Sequence, residues 1–262
     1  MTATRTPSFE TLRLEPVDDD LCWLVLDRPT VLNAMSVAMR REMLDALEHL
    51  AAGTWRVVLL RGEGRAFCSG ADLKDFPQQV DVSDTTQVRA AVDGWHEVIR
   101  RLRDLPQASI AAIHGAVYGG GANLALAADI VIAGISTQMV QSYVDIGASV
   151  DLGGSWLLPR LAGLAQGRRL LLTGEPVDGA RAVELGLVSE VVADDDLLTH
   201  AEEVGRVLAT KDPTVLRMIR STIDGGLHSS LIAHLDVEAD GVAALLGGNA
   251  FRDATARFSD GS

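Results

Sequence analysis

Two glycine-containing turns hold the residues best suited to chemistry. The first is Ala66-Phe67-Cys68-Ser69-Gly70-Ala71-Asp72-Leu73; the second is His114-Gly115-Ala116-Val117-Tyr118-Gly119-Gly120-Gly121-Ala122-Asn123. Glycine lets the backbone come close to a ligand and leaves N–H groups free to point at it. Where such a turn opens a helix, the peptide dipoles add partial positive charge to those groups. Two such turns side by side would hold an oxygen that becomes negative during a reaction, as an oxyanion hole does. Either turn alone reads equally well as a tight connection with close helix–strand packing, and the second lacks the G-x-G-x-x-G spacing of a dinucleotide site.

The elements that must carry these turns are legible in the pattern of apolar residues. Leu21 to Leu26 is a short apolar run that ends at Asp27-Arg28-Pro29, which predicts a strand and a breaker. Ser36 can cap the helix that follows, with Met39, Met43, Leu44, Leu47 and Leu50 on one face and Gly53 at its end. Val57-Val58-Leu59-Leu60, Ser109 to Ile113 and Ile130-Val131-Ile132 read as further buried strands, and Asn123 to Ala128 as the start of a helix. Continuous apolar strands alternating with helices imply an α/β protein whose sheets are covered. Residues Phe76 to Val88 read as a mobile loop. From about Val192 the pattern becomes helical, with Leu198, Ala201, Val204, Val207 and Leu208 and then Leu216, Ile219, Ile223 and Leu227 at helical spacing. This implies a core over 1–192 and a helical region over 193–262, too thin for a large core of its own and suited to oligomerisation.

Composition narrows the classes of partner. The 262 residues are 47% hydrophobic and carry a formal net charge of −13, so the whole chain has no electrostatic reason to seek nucleic acid or an anionic membrane. The two cysteines, Cys22 and Cys68, make no metal spacing or disulfide framework, which fits a reducing, cytoplasmic setting. Met1 to Pro7 has no apolar stretch of a secretory leader. Ser109 to Ala128 is free of charge, but Gly119-Gly120-Gly121 at its centre favours strand, turn and helix over a membrane span.

Together the two turns resemble the crotonase superfamily, which includes the enoyl-CoA hydratases and isomerases. The resemblance runs from Leu26-Asp27-Arg28-Pro29 and Leu32-Asn33-Ala34 through both turns to Gly153-Gly154-Ser155, Leu158-Pro159-Arg160 and Gly186-Leu187-Val188. It implies a spiral of ββα units with a helical trimerisation region, a homotrimer or a dimer of trimers. It implies an acyl-CoA thioester as substrate, with coenzyme A as part of that substrate and no prosthetic group or metal. By the same resemblance, the N–H groups of Ala71 and Gly120 would form the oxyanion hole for the thioester carbonyl. Val31, Leu32 and Ala34 would line the coenzyme A channel with Ser69, Gly70, Asp72, Leu73 and Gly119, and Arg28 and Lys74 would be the nearby cations for its phosphates. Phe251-Arg252-Asp253 matches the usual C-terminal pattern, but Ser262 ends the sequence without a Lys-rich tail.

The residues at the acid positions depart from the hydratases. By the resemblance, the two hydratase glutamates fall at Asn123 and Tyr143. Asparagine does not titrate, and a tyrosine near its ordinary pKa of about 10 stays protonated, so neither is a general base near neutral pH. An acid stands instead at Asp151, a position where related isomerases carry an aspartate. One carboxylate suffices for a 1,3-proton shift. Val150, Leu152 and Ile146 suggest an apolar wall that would raise its pKa. The pattern Trp95-His96 with Tyr143 and Asp151 also resembles 4-chlorobenzoyl-CoA dehalogenase, in which an Asp nucleophile and a His that activates water would be hydrolytic. A third reading is an atypical enoyl-CoA hydratase or acyl-CoA binding without turnover. The side chain of Asp151 separates these readings: isomerase if it faces the cavity beyond the Ala71 and Gly120 amides, binding module if it points away. Tyr118, Trp95, Tyr143, Trp156 and the Phe76 loop are candidates to shape the acyl pocket.

Overall fold

Continuous apolar runs become strands that are covered on both faces. The computed structural model describes residues 7–259, and all structural statements concern these; the extreme termini discussed above lie outside them. Strand β1 (Leu12–Pro16) pairs antiparallel with the fully buried β2 (Leu21–Leu26). Helix α1 (Val37–Ala52) follows, started by Ser36, whose side chain accepts from Met39 N–H, and it buries Met39, Met43, Ala46, Leu47 and Leu50.

The same step then repeats. One strand joins a large sheet, the next crosses to a small sheet, and a helix returns. β3 (Val57–Gly62) is followed by β4 (Ala66–Cys68) and helices α2 (Phe76–Gln79) and α3 (Thr85–Arg103). β5 (Ala108–Ile113) is followed by β6 (Ala116–Tyr118) and α4 (Gly120–Leu126). β7 (Ile130–Gly134) is followed by β8 (Gln138–Val140), α5 (Gly154–Leu161) and α6 (Gly163–Thr173). The chain continues through β9 (Val177–Asp178), α7 (Gly179–Glu184), β10 (Glu190–Val192) and α8 (Leu197–Ala209). The large sheet has the order β1-β2-β3-β5-β7-β10 and the small one β4-β6-β8-β9. β2, β3, β5, β7 and β10 run parallel, as do β4, β6 and β8. This is the expected α/β spiral of ββα units, and it stacks the ends of β4, β6 and β8 next to one another.

Two local expectations change. The helix after the glycines starts at Gly120, not Asn123; Gly119 is its N-cap at φ +50°. Gly121 allows this, because a Cβ there would lie 2.6 Å from the Cys68 carbonyl oxygen. The stretch Phe76 to Val88 is not one loop: it contains α2 and the first turn of α3, which Asp84 caps by accepting from the N–H groups of Thr86 and Gln87. By its internal packing the first compact unit runs to Leu208. Helix α8 stays with it because Leu197 and Ala201 are buried, Glu202 accepts from Trp23 Nε1 at 3.0 Å, and Gly205 lies against Leu21. The second unit, from Ala209, holds α9 (Pro213–Gly226), α10 (Leu231–Leu246) and α11 (Asn249–Ser259). Within it Met218 packs on Gly241, while Ile219, Ile223, Leu231, Ile232 and Val242 are exposed. Among the described residues no helix is long and apolar enough to cross a membrane.

Candidate active site

The two glycine turns meet where β4 and β6 end side by side. Gly70 adopts φ +84°, and a Cβ on it would lie 2.7 Å from the Tyr118 carbonyl oxygen and 3.6 Å from Gly120 N. The residue after Gly70 is therefore presented beside the start of α4. Ala71 is fixed from both sides: Met35 N–H donates to the Gly70 carbonyl at 2.8 Å, and Asp72 N–H donates to the Met35 carbonyl at 3.2 Å. Among the described residues, neither the Ala71 nor the Gly120 N–H is paired with an acceptor. Both residues line one cavity of about 90 Å³, together with Met35, Ser69, Gly70, Leu73, Trp95, Gly119, Ser142, Tyr143, Ile146, Asp151 and Leu152.

Asp151 is the one carboxylate among those lining residues. It sits between β8 and α5, where Leu152 takes a left-handed φ of +47° and Gly153 one of +81°. A left-handed leucine is uncommon and strained, and it is tolerated here because Leu152 is buried beside Gly120. Tyr143 O–H donates to Asp151 Oδ1 at 2.6 Å. Burial raises the Asp151 pKa; the Tyr143 hydrogen bond and the charge of His96 oppose that rise, and the net shift is upward. Burial also pushes the Tyr143 phenol well above its usual value, helped by the adjacent Asp151 charge. Tyr143 is thus a neutral donor and Asp151 a carboxylate of increased basicity.

Behind this pair lies Asn123, fully buried on α4. Its Nδ2 donates to Tyr143 Oη at 2.9 Å and to the Asp151 carbonyl at 2.9 Å. Gln141 Nε2 in turn donates to Asn123 Oδ1 at 3.1 Å. Asn123 therefore does not reach the cavity itself. His96 is on α3 with its side chain 36% exposed, its Nδ1 3.9 Å from Asp93, and it is not one of the cavity-lining residues.

Several expected binding residues make contacts within the protein. Arg28 Nη1 is 2.9 Å from Asp72 Oδ2 and 2.6 Å from the Ala34 carbonyl, so this cation and this acid hold each other. Burial raises the Asp72 pKa, but the N–H of Asp75 and the Arg28 guanidinium outweigh it and leave the carboxyl below its ordinary value. Leu32 and Asn33 form a left-handed turn, with Asn33 Nδ2 donating to the carbonyls of Glu63 and Ala66. Ala34 is buried next to them, and Val31 is 41% exposed. Lys74 is exposed, one residue after the cavity-lining Leu73, which is itself 59% exposed. Of the proposed apolar wall, Leu152 and Ile146 line the cavity, but Val150 does not; it borders a separate depression with Val144, Ala148, Arg168 and Leu171. Trp156 stacks under Arg160, with its ring centroid 4.1 Å from the guanidinium carbon, and is not a lining residue. Met35, Ser142 and Gln141 were not singled out from the sequence. Their neighbours Ala34 and Tyr143 were the available signal. Among the described residues no cluster of His, Cys, Asp or Glu is placed to hold a metal ion.

The chain is similar to known proteins over most of its length. Residues 18–259 match the family model described as enoyl-CoA hydratase/isomerase. The 1,2-epoxyphenylacetyl-CoA isomerase of Escherichia coli K12 is 36% identical over 230 residues, 87% of each chain. A protein of Rhodobacter capsulatus named "Probable enoyl-CoA hydratase" is 37% identical over 232 residues, 88% of each chain. The crystal structure of an enoyl-CoA hydratase from Bacillus anthracis superposes with a TM-score of 0.89 at 29% identity, covering 96% of each chain.

Proposed function

Because the chain belongs to the enoyl-CoA hydratase/isomerase family, we propose that it is an isomerase of acyl-CoA thioesters that moves a proton through Asp151. One observation carries the reading: a single carboxylate faces the cavity that also presents the unpaired N–H groups of Ala71 and Gly120. The thioester oxygen sits between those two donors. Asp151 removes a proton from carbon, the electron pair moves onto the carbonyl oxygen, and the two N–H groups hold the resulting enolate. The carboxylic acid then returns the proton to a different carbon, and the double bond ends one position away. Tyr143 occupies Asp151 Oδ1, so Oδ2 is the oxygen left for substrate.

This arrangement does not support hydration. A hydratase needs groups that hold and deprotonate water, and here Asn123 and Tyr143 spend their hydrogen bonds on each other and on Asp151. The hydrolytic reading has less support, because His96 is not among the cavity-lining residues, although its charge acts on Asp151. Family resemblance and the exposed apolar residues Ile219, Ile223, Leu231, Ile232 and Val242 support assembly as a homotrimer or a dimer of trimers. Sedimentation or light scattering reads that directly.

The test of the reaction uses a small panel of 3-enoyl and aromatic acyl-CoA thioesters in deuterated water, followed by mass spectrometry. Wild type should exchange substrate C–H on at least one of them. Asp151→Asn should abolish exchange while binding stays within a few-fold. Retained exchange in that variant removes Asp151 as the proton carrier.

A further inference from the structure

Behind the cavity, side chains from α4 and from the segment after β8 form a hydrogen-bonded chain with a fixed direction. The Asp151 backbone carbonyl can only accept, and Asn123 Nδ2 donates to it at 2.9 Å, which sets the orientation of the Asn123 amide. The other face of that amide is held by Gln141 Nε2, which donates to Asn123 Oδ1 at 3.1 Å. Gln141 is 3% exposed and its Oε1 has no partner among the described residues, so its N–H on Asn123 is its engaged side-chain group. The second Nδ2 hydrogen of Asn123 goes to Tyr143 Oη at 2.9 Å, and the phenol spends its own proton on Asp151 Oδ1 at 2.6 Å.

We infer that Asn123 and Gln141 are positioning residues that fix which way the Tyr143 O–H points, and thereby confine the base function of Asp151 to Oδ2. With Oη already accepting from Asn123, its proton is directed to Asp151. An Asn123 amide free to turn would offer Oδ1 to the phenol as a competing acceptor, and Asp151 would lose its donor. The amides act only through Tyr143 and touch no reacting atom. The last step of this inference rests on the isomerase reading; the hydrogen-bond order stands without it.

The decisive experiment reads the resting, full-length protein. The Asp151 carboxyl is followed by carbon-13 NMR against pH in wild type, Gln141→Met, Tyr143→Phe and the double variant. Tyr143 and His96 are the titratable groups that bear on Asp151, and His96 is retained in all four. Gln141→Met should move the carboxyl midpoint upward. In the Tyr143→Phe background the same substitution should move it no further, because the path through the phenol is gone. Equal shifts in both backgrounds, or none in either, overturn the inference. Asn123→Leu provides the second variant and should shift the midpoint in the same direction. In wild type the side-chain amide protons of Asn123 and Gln141 should exchange slowly with solvent, and rapid exchange would also overturn it. In turnover, Gln141→Met should lose about tenfold in kcat, the effect of weakening one neutral hydrogen bond, with KM within about twofold. If wild type exchanges protons on no acyl-CoA, the isomerase reading fails while the titration still decides the relay.

Discussion

Replacing Gly70 by alanine tests whether the two turns work as one device. Gly70 adopts φ +84°, and a Cβ there would meet the Tyr118 carbonyl oxygen at 2.7 Å, its carbon at 3.4 Å and Gly120 N at 3.6 Å. Left-handed backbone costs a non-glycine residue about 1–2 kcal/mol. A relaxed carbon–oxygen contact is roughly 3.3 Å or longer, so the turns must part by roughly 0.6 Å. That displacement falls between Ala71 and Gly120, the residues whose N–H groups share the cavity. Losing one well-aligned donor to an oxyanion lowers kcat by about 100- to 1000-fold. Gly163→Ala is the matched control: φ is +79° there, and nothing lies within 4 Å of the added Cβ. It should show the backbone strain alone, about 2–4 °C in Tm per kcal/mol, with unchanged turnover. Gly70→Ala should lose more stability than the control and at least about 100-fold in proton exchange. The reasoning fails if Gly70→Ala, folded and destabilised, still exchanges protons within about threefold of wild type.

Asn33→Ala should destabilise without entering the chemistry. It removes the bonds to Glu63, Ala66 and Arg28 N–H from a fully buried side chain at φ 55°, about 3 kcal/mol or more by denaturant unfolding. Asp151→Asn should stabilise the protein at neutral pH. The folded pKa of Asp151 is raised, so the ionised carboxylate opposes folding above that pKa. The gain should shrink as pH falls through the folded pKa and vanish below the ordinary aspartate value of about 3.9, where both states are protonated. Thermal melts of wild type and variant across that range check the sign; a gap that widens towards low pH would refute it. Hydration of crotonyl-CoA should be very slow, and turnover of roughly 10 per second or more would contradict the assignment of Asn123 and Tyr143.

The four central strands of the large sheet, β2, β3, β5 and β7, were legible because they are largely covered on both faces and need no polar alternation, whereas the partly exposed outer strands β1 and β10 were not. β2, with all six residues buried, is the clearest case. The small sheet was not legible. β4, β6 and β8 have three residues each, too few for any periodicity; β4 and β6 are hidden inside the two glycine turns, and β8 carries no signal of its own. The positions of Ala71, Gly120, Tyr143 and Asp151 came from family resemblance, and the structure brings all four to one cavity. Physical reading of single residues was weaker where the partner is distant in sequence. Arg28 and Asp72 are 44 residues apart, and nothing local announces that they neutralise each other. Gln141 and Asn123 are 18 residues apart and meet only because β6 and β8 are neighbours.

The repeated strand–strand–helix step also divides labour. The β3–β4 step delivers Ala71, the β5–β6 step delivers Gly120, and the segment after β8 delivers Tyr143 and Asp151. In the proposed reaction, recognition of the carbonyl and manipulation of the proton would therefore be encoded in different stretches of chain. On that reading, exchanging the stretch from Gln141 to Gly153 would change the acid and leave Ala71 and Gly120 as they are. Asn123 hydrogen-bonds from α4 to both Tyr143 and Asp151, so any transplant of that stretch must carry a compatible residue at position 123.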